Sequence, residues 1–243
     1  MSKKTILIDQ PFYVGDIIFS MAIAQDFAKR GFDVLYPIMY DEDFIDDLRF
    51  RFPTINFIQS TKFKDFEKYH KTNIVDEKYI VIPLIKSWFG PPVPERMANK
   101  YLSIGWEIKE WRNVKIKRNY NKELELFNLL GIKPGDDYDL FNLNYHLYPT
   151  IYNTEKETFS IKEIQIDDNR KQIKMSIIDG FSIFDWIGVL ERAKNIHTVH
   201  TAVHYLMDLY CDSDVQELHI YDRGSHDLHS IKNLFTKRYF YHD

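Results

Sequence analysis

Three short segments carry residues able to do chemistry. The first is Asp9-Gln10-Pro11-Phe12-Tyr13-Val14-Gly15-Asp16. Gly15 lets a ligand approach the main chain closely. Asp16 stands where an apolar-periodic run begins, so it either caps a helix or offers a carboxylate that can take a proton. The second segment is residues 196–204, IHTVHTAVH, where Thr198, Thr201, His197, His200 and His204 crowd the passage from an apolar run to helical spacing. A helix opening at His200 or Thr201 would present free amides and a positive dipole end, which suit a diphosphate. The competing reading has Thr201 merely capping its helix and His204 packing upon it. The third segment is Ile220-Tyr221-Asp222-Arg223. Its tyrosine can stack on a base and its arginine can pair with phosphate.

Other residues add to these. Asp185, beside Trp186 at a helix start, can bind a ligand or answer the helix dipole. Trp106, Trp111 and Arg112 lie in a basic stretch, residues 105–120, that combines rings with cations in the way sugar and phosphate groups require; core packing competes for at least one of the tryptophans. His200 and His204 also have the spacing of two zinc ligands on one helix face. No glutamate follows His200, and a third ligand would have to be His197 or a distant carboxylate. No two of the nine glycines are separated by a single residue, and no Gly-Lys-Ser/Thr occurs. The dinucleotide fingerprint and the Walker loop are therefore excluded, and any phosphate site must use helix N-termini and side chains.

Regular elements must hold these groups. Residues 4–8 read as a buried strand, 17–30 as a helix closed by Gly31, and 33–38 as a second strand, which together make a βαβ unit. A helix at 41–50, strands at 55–58 and 79–83, a loop at 86–94 and helices at 95–102 and 121–130 follow. A second alternating series begins at 138–143. It continues with strands at 162–166 and 172–177, a helix at 182–193, a strand at 195–199, a helix at 201–210, a strand at 217–221 and a closing helix at 226–235. Alternation on this scale predicts an α/β fold of two small Rossmann-like parallel-sheet domains, 1–120 and 121–243, facing a cleft. In such sheets ligands lie beyond the carboxyl ends of the strands, where all three segments fall.

Composition sets the outer bounds. Hydrophobic residues make up 44% and charged residues 28% of 243, enough apolar material for a sizeable core. Thirty-two Lys and Arg against 36 Asp and Glu leave a net charge of −4, with no general drive toward nucleic acid. The single cysteine, Cys211, excludes an internal disulfide and a multi-cysteine zinc site. The short apolar run after Met1 is too brief for a signal peptide, and no stretch reaches membrane-spanning length. The expectation is a soluble cytoplasmic protein, with its oligomeric state left open.

Residues 15–23, Gly-Asp-Ile-Ile-Phe-Ser-Met-Ala-Ile, resemble the glycine-aspartate opening of heptosyltransferase-type glycosyltransferases. Residues 196–206 resemble the donor loop of the same family. The resemblance implies a GT-B fold, with an acceptor-side N-terminal half and a nucleotide-sugar-side C-terminal half. It assigns Asp16 as catalytic base. His200 stands where the family has aspartate, Ala202 replaces a glycine, and His204 falls one residue early. The expected function is metal-independent, inverting transfer of a sugar from a nucleotide diphosphate to a glycan or other hydroxyl acceptor, with no further cofactor. Asp16 is catalytic; Thr198, His200, Thr201, His204, Tyr221, Arg223 and Asp185 serve the donor; Tyr13, Gly15, Trp106, Trp111 and Arg112 serve the acceptor. The alternatives are a non-catalytic GT-B-like module that binds glycan or nucleotide, and a metal-dependent hydrolase built on the histidines.

Overall fold

A computed structural model of the chain describes residues 4–11, 13–84, 93–147, 157–160, 170–222, 228 and 232–242. The chain forms two compact units, one built on Met1–Lys117 and the other on Arg118–Tyr148 and Lys156–Asp243. Each contains a parallel sheet, the α/β class that the alternating pattern predicts.

In the first unit, β1 (Thr5–Ile8) leads to α1 (Val14–Lys29), β2 (Asp33–Ile38), α2 (Glu42–Arg51), β3 (Asn56–Gln59), the short α3 (Phe66–Tyr69), β4 (Tyr79–Ile82) and α4 (Val93–Leu102). The strands lie in the order β3-β2-β1-β4, all parallel. The chain therefore reverses its direction of travel across the sheet between β1 and β4, which makes the end of β1 the topological switch point. One face of the sheet packs Leu7, Leu35 and Val81 against Phe63, Phe66 and Tyr69. Alternation along a strand sends the intervening residues to the other face, where α1 lies with Ile17 to Ala24 all buried. Phe19 of α1 meets Tyr101 edge-on at 5.1 Å and Trp111 at 5.6 Å. Each such side chain contributes roughly 1.5–3 kcal/mol through removal from water. Gly31 adopts φ +87° just past α1, a conformation that a side chain resists.

The second unit runs α5 (Tyr120–Leu129), β5 (Tyr138–Asn142), β6 (Asn144–Leu147), β7 (Glu157–Ser160), β8 (Lys171–Lys174), α6 (Ile187–Arg192), β9 (Asn195–Val199), α7 (Ala202–Tyr210), β10 (Glu217–Tyr221) and β11 (Phe240–His242). Its main sheet has the order β11-β10-β9-β5-β8, again parallel, with the switch point between β5 and β9. Strands β6 and β7 form a separate antiparallel pair.

Several expectations need correction. Helix α1 begins at Val14 rather than Ile17, so Gly15 and Asp16 belong to its first turn and not to a loop. The pair β6–β7 and the edge strand β11 were not expected, because runs this short show no clear periodicity. Residues 183–186 form a 3-10 turn before α6 instead of its first helical turn, and within the expected closing helix Lys232–Leu234 is also a 3-10 turn. The expected strand at 162–166, most of the 86–94 loop and half of the 226–235 helix lie outside the described residues. No helix among the described residues is long and apolar enough to cross a membrane.

Candidate functional site

The first unit gathers ionisable groups at its switch point. Asp9 and Gln10 follow β1 directly, and Asp16 lies in the first turn of α1. Lys100, near the end of α4, donates from Nζ to Asp16 Oδ1 at 2.6 Å and also to Gln10 Oε1. Its side chain is completely buried, whereas Asp16 retains 16% exposure. Burial drives the Lys100 ammonium below its ordinary range, and the neighbouring Asp16 and Asp9 carboxylates oppose that shift. A buried ammonium survives only with such partners. The same ammonium fixes the Asp16 carboxylate in one orientation while leaving it reachable. Ser20 Oγ donates to the Asp16 carbonyl at 2.8 Å and bonds the Tyr36 hydroxyl at 2.9 Å, tying the first turn of α1 to β2.

Asp9 has its own partners. Its Oδ1 lies 2.7 Å from His70 Nδ1, and its Oδ2 accepts from the Lys71 amide at 2.6 Å. Among the described residues, the only non-glycine positions with positive φ are Tyr13 (φ 64°), just before α1, and Lys71 (φ 57°). Both border this cluster. Such conformations cost of order 1–3 kcal/mol each and concentrate at functional sites. The strain falls on Tyr13, whose amide donates to the Tyr40 hydroxyl at 3.0 Å, and not on Gly15.

The second unit's switch point is neutral. Asn142, at the end of β5, donates from Nδ2 to Thr198 Oγ1 at 2.8 Å and to Thr201 Oγ1 at 3.3 Å. Thr201 is the N-cap of α7, accepting from the Val203 amide at 3.4 Å. His200 and His204 share an Nδ1–Nδ1 hydrogen bond of 3.0 Å, in which one ring donates and the other must be unprotonated at that nitrogen. His204 is fully buried and stacked on Phe235 at 3.6 Å, and its Nε2 has no hydrogen-bond partner among the described residues. Burial and the His200 charge hold it well below the ordinary imidazole range. The pair faces inward, which removes the two-ligand zinc geometry. Among the described residues, no group of three His, Cys, Asp or Glu could hold a metal ion.

The other expected site residues divide clearly. Trp111 is sealed in the core against Phe19, so it is a packing residue and not a sugar platform. Trp106 is half-buried with the Arg30 guanidinium 5.6 Å above its ring, and Arg112 lies over the Trp111 ring. Asp185 accepts from the Ser182 amide at 2.8 Å in a capping box; it is 3% exposed and serves its own turn. Tyr221 stacks on His242 at 4.3 Å and bonds His197 Nδ1 at 3.0 Å, so its ring is engaged within the sheet face. Arg223 lies outside the described residues. The first unit thus brings Tyr13, Gly15 and Asp16 together, and the second brings Thr198, Thr201, His200 and His204 together.

Sequence reasoning placed Asp9 and Gln10 in the first segment without giving them a role, and missed Lys100, His70 and Asn142. Asp9 and Gln10 stand directly after a strand, and Asn142 is the last residue of another, which is the one local signal available. Nothing near Lys100 or His70 in the sequence marks them.

No protein-family model matches the chain, and no curated protein matches it. Among solved structures, the chain is similar to the glycosyl transferase family 9 protein of Veillonella parvula DSM 2008, at 12% identity and a TM-score of 0.46, over 91% of this chain and 81% of that one.

Proposed function

We propose that the chain is a metal-independent, inverting glycosyltransferase acting on a nucleotide-diphosphate sugar and a hydroxyl acceptor. The observation that carries this reading is Asp16: a partly exposed carboxylate at the switch point of a parallel sheet, clamped by a wholly buried lysine. The glycine-aspartate resemblance of residues 15–23 points to the same group. In the reaction, Asp16 removes the acceptor hydroxyl proton as that oxygen bonds to the anomeric carbon. The bond from the anomeric carbon to the diphosphate oxygen breaks, its electron pair leaves with the diphosphate, and the proton ends on Asp16. One displacement inverts the anomeric centre. In the second unit the donor diphosphate would be received by Thr201 and the first amides of α7, with the buried Asn142, itself bonded to Thr198, holding Thr201 in place.

A second reading, a non-catalytic module that binds nucleotide or glycan, has support in His200 and Ala202, which stand where the resembling family has aspartate and glycine, and in the turning of His200 inward to His204. A thermal-shift screen against UDP-, GDP-, ADP- and dTDP-sugars, followed by assay of donor turnover, separates the two. We expect one nucleotide sugar to stabilise the protein and be turned over. Asp16→Asn should lower turnover by about 10² or more with nucleotide affinity retained. Equal loss of turnover and affinity would remove Asp16 from the role of base, and binding without turnover would leave the module.

A further inference from the structure

Asp16 has two carboxylate oxygens, and the first unit treats them differently. Gln10, wholly buried after β1, accepts through Oε1 from Lys100, and the same Lys100 Nζ donates to Asp16 Oδ1 at 2.6 Å. The Lys100 side chain has no exposure, so no atom of it can touch a substrate; it can act only through what it holds. Asp16 Oδ2 makes no hydrogen bond to a described residue, yet it is not one of the buried polar atoms without a partner. The 16% of the Asp16 side chain that meets solvent therefore includes this oxygen. A second ion pair of the same unit shows the contrast. Arg51, 1% exposed, donates from Nε to Asp47 Oδ1 at 2.9 Å, but there Oδ2 is buried. That arrangement serves packing, whereas the Lys100 pair leaves an oxygen for chemistry.

An untied carboxylate turns broadly about its last torsion and exchanges its oxygens. A base must instead keep one oxygen within about 3 Å of the proton it takes, and a misplacement of about 1 Å can cost about 10²-fold in rate. We infer that Lys100, itself braced by Gln10, is a positioning residue: it ties Oδ1, so that Oδ2 alone receives the acceptor proton. The link runs from the end of β1 through α4 to the first turn of α1, and each member but the last is sealed from water. This rests on the glycosyl-transfer reading for the reaction, but the orientation of Asp16 is measurable without turnover.

The first arm of the test compares crystals of the intact chain with crystals of Lys100→Met, whose neutral side chain fills a similar volume. The unaltered chain should show one Asp16 conformer with Oδ1 on Lys100 Nζ, and the variant a different conformer or several. A single unchanged conformer in the variant overturns the inference. The second arm is kinetic. Lys100→Met should lower kcat about 10–10²-fold and leave the KM for donor and acceptor unchanged. In an Asp16→Asn background the same substitution should change kcat by less than about twofold, because the oxygen it would orient is gone. Equal losses in both backgrounds would mean that Lys100 acts through the fold and not through Asp16, and would overturn the proposal, as would an unchanged kcat. Gln10→Met, which withdraws only the brace, carries both comparisons if Lys100→Met does not fold. A chain that turns over no nucleotide sugar would defeat the transferase reading, and the crystal comparison would then decide alone whether Lys100 sets Asp16.

Discussion

The two switch points solve the same topological problem with opposite chemistry. In the first unit, the end of β1 is charged: Lys100 pairs with Asp16 and His70 with Asp9 through short hydrogen bonds, with two strained residues beside them. In the second, the ends of β5 and β9 are held by an amide, two hydroxyls and an inward-facing imidazole pair. A charged cluster can move a proton but costs stability whenever one member is lost. A neutral edge offers hydrogen bonds without that liability. On the proposed reading, this difference puts proton chemistry in the first unit and ligand holding in the second.

The largest way to break this contrast is to remove one charge from the first cluster. Asp16→Ala leaves the buried Lys100 ammonium with Gln10 as hydrogen-bond partner and the Asp9 carboxylate as its remaining counter-charge, and should destabilise the protein by about 3 kcal/mol. Adding Lys100→Met should recover most of the loss, a coupling readable by urea unfolding of the two single variants and the double. Near-additive effects would mean that the pair is not coupled.

Acid should act on the second unit. His197 stacks between Phe141 at 4.9 Å and His219 at 4.4 Å, and burial with its histidine neighbours lowers it from 6.5 to about 4. The unfolded chain binds the proton more readily, so stability is full above about pH 6.5 and falls between 6.5 and 4. That lowering amounts to about 3 kcal/mol for His197. Hydrogen exchange across this pH range should show β9 and β10 losing protection, and His197→Phe should flatten that part of the dependence.

A smaller effect tests the neutral edge itself. Asn142→Ala withdraws the donor shared by Thr198 and Thr201 and should cost about 1–3 kcal/mol, with nucleotide affinity falling and the pH dependence of turnover unaltered. A changed pH profile would place titrating chemistry in the second unit after all. The smallest expected change is Tyr13→Gly. Relief of the φ 64° conformation offsets the greater chain entropy of glycine, so stability should hold within about 1 kcal/mol. The same substitution at Tyr36, buried in β2, should be plainly destabilising by thermal melting.

Much of the scaffold was readable from periodicity. The strands at 33–38, 195–199 and 217–221 match the observed β2, β9 and β10 end for end, because apolar runs between polar turns leave little choice. Asp16 and Thr201 were readable because they stand at strand-to-helix passages. The role of Asp185 was not: its residue type fits a ligand contact and a cap equally, and only the Ser182 bond decides. Trp111 could not be told from Trp106, since composition does not say which ring meets Phe19.

By itself, then, the order of residues determined two parallel α/β units and the ends of strands such as β2, β9 and β10, since local hydrophobic spacing and turn residues act over a few positions. Tertiary structure alone decided what stands at those places. Lys100 reaches Asp16 across 84 residues of chain and His70 reaches Asp9 across 61, separations over which no local pattern survives. A charge can remain in a protein interior only if folding brings its counter-charge alongside, and that pairing is a property of the fold.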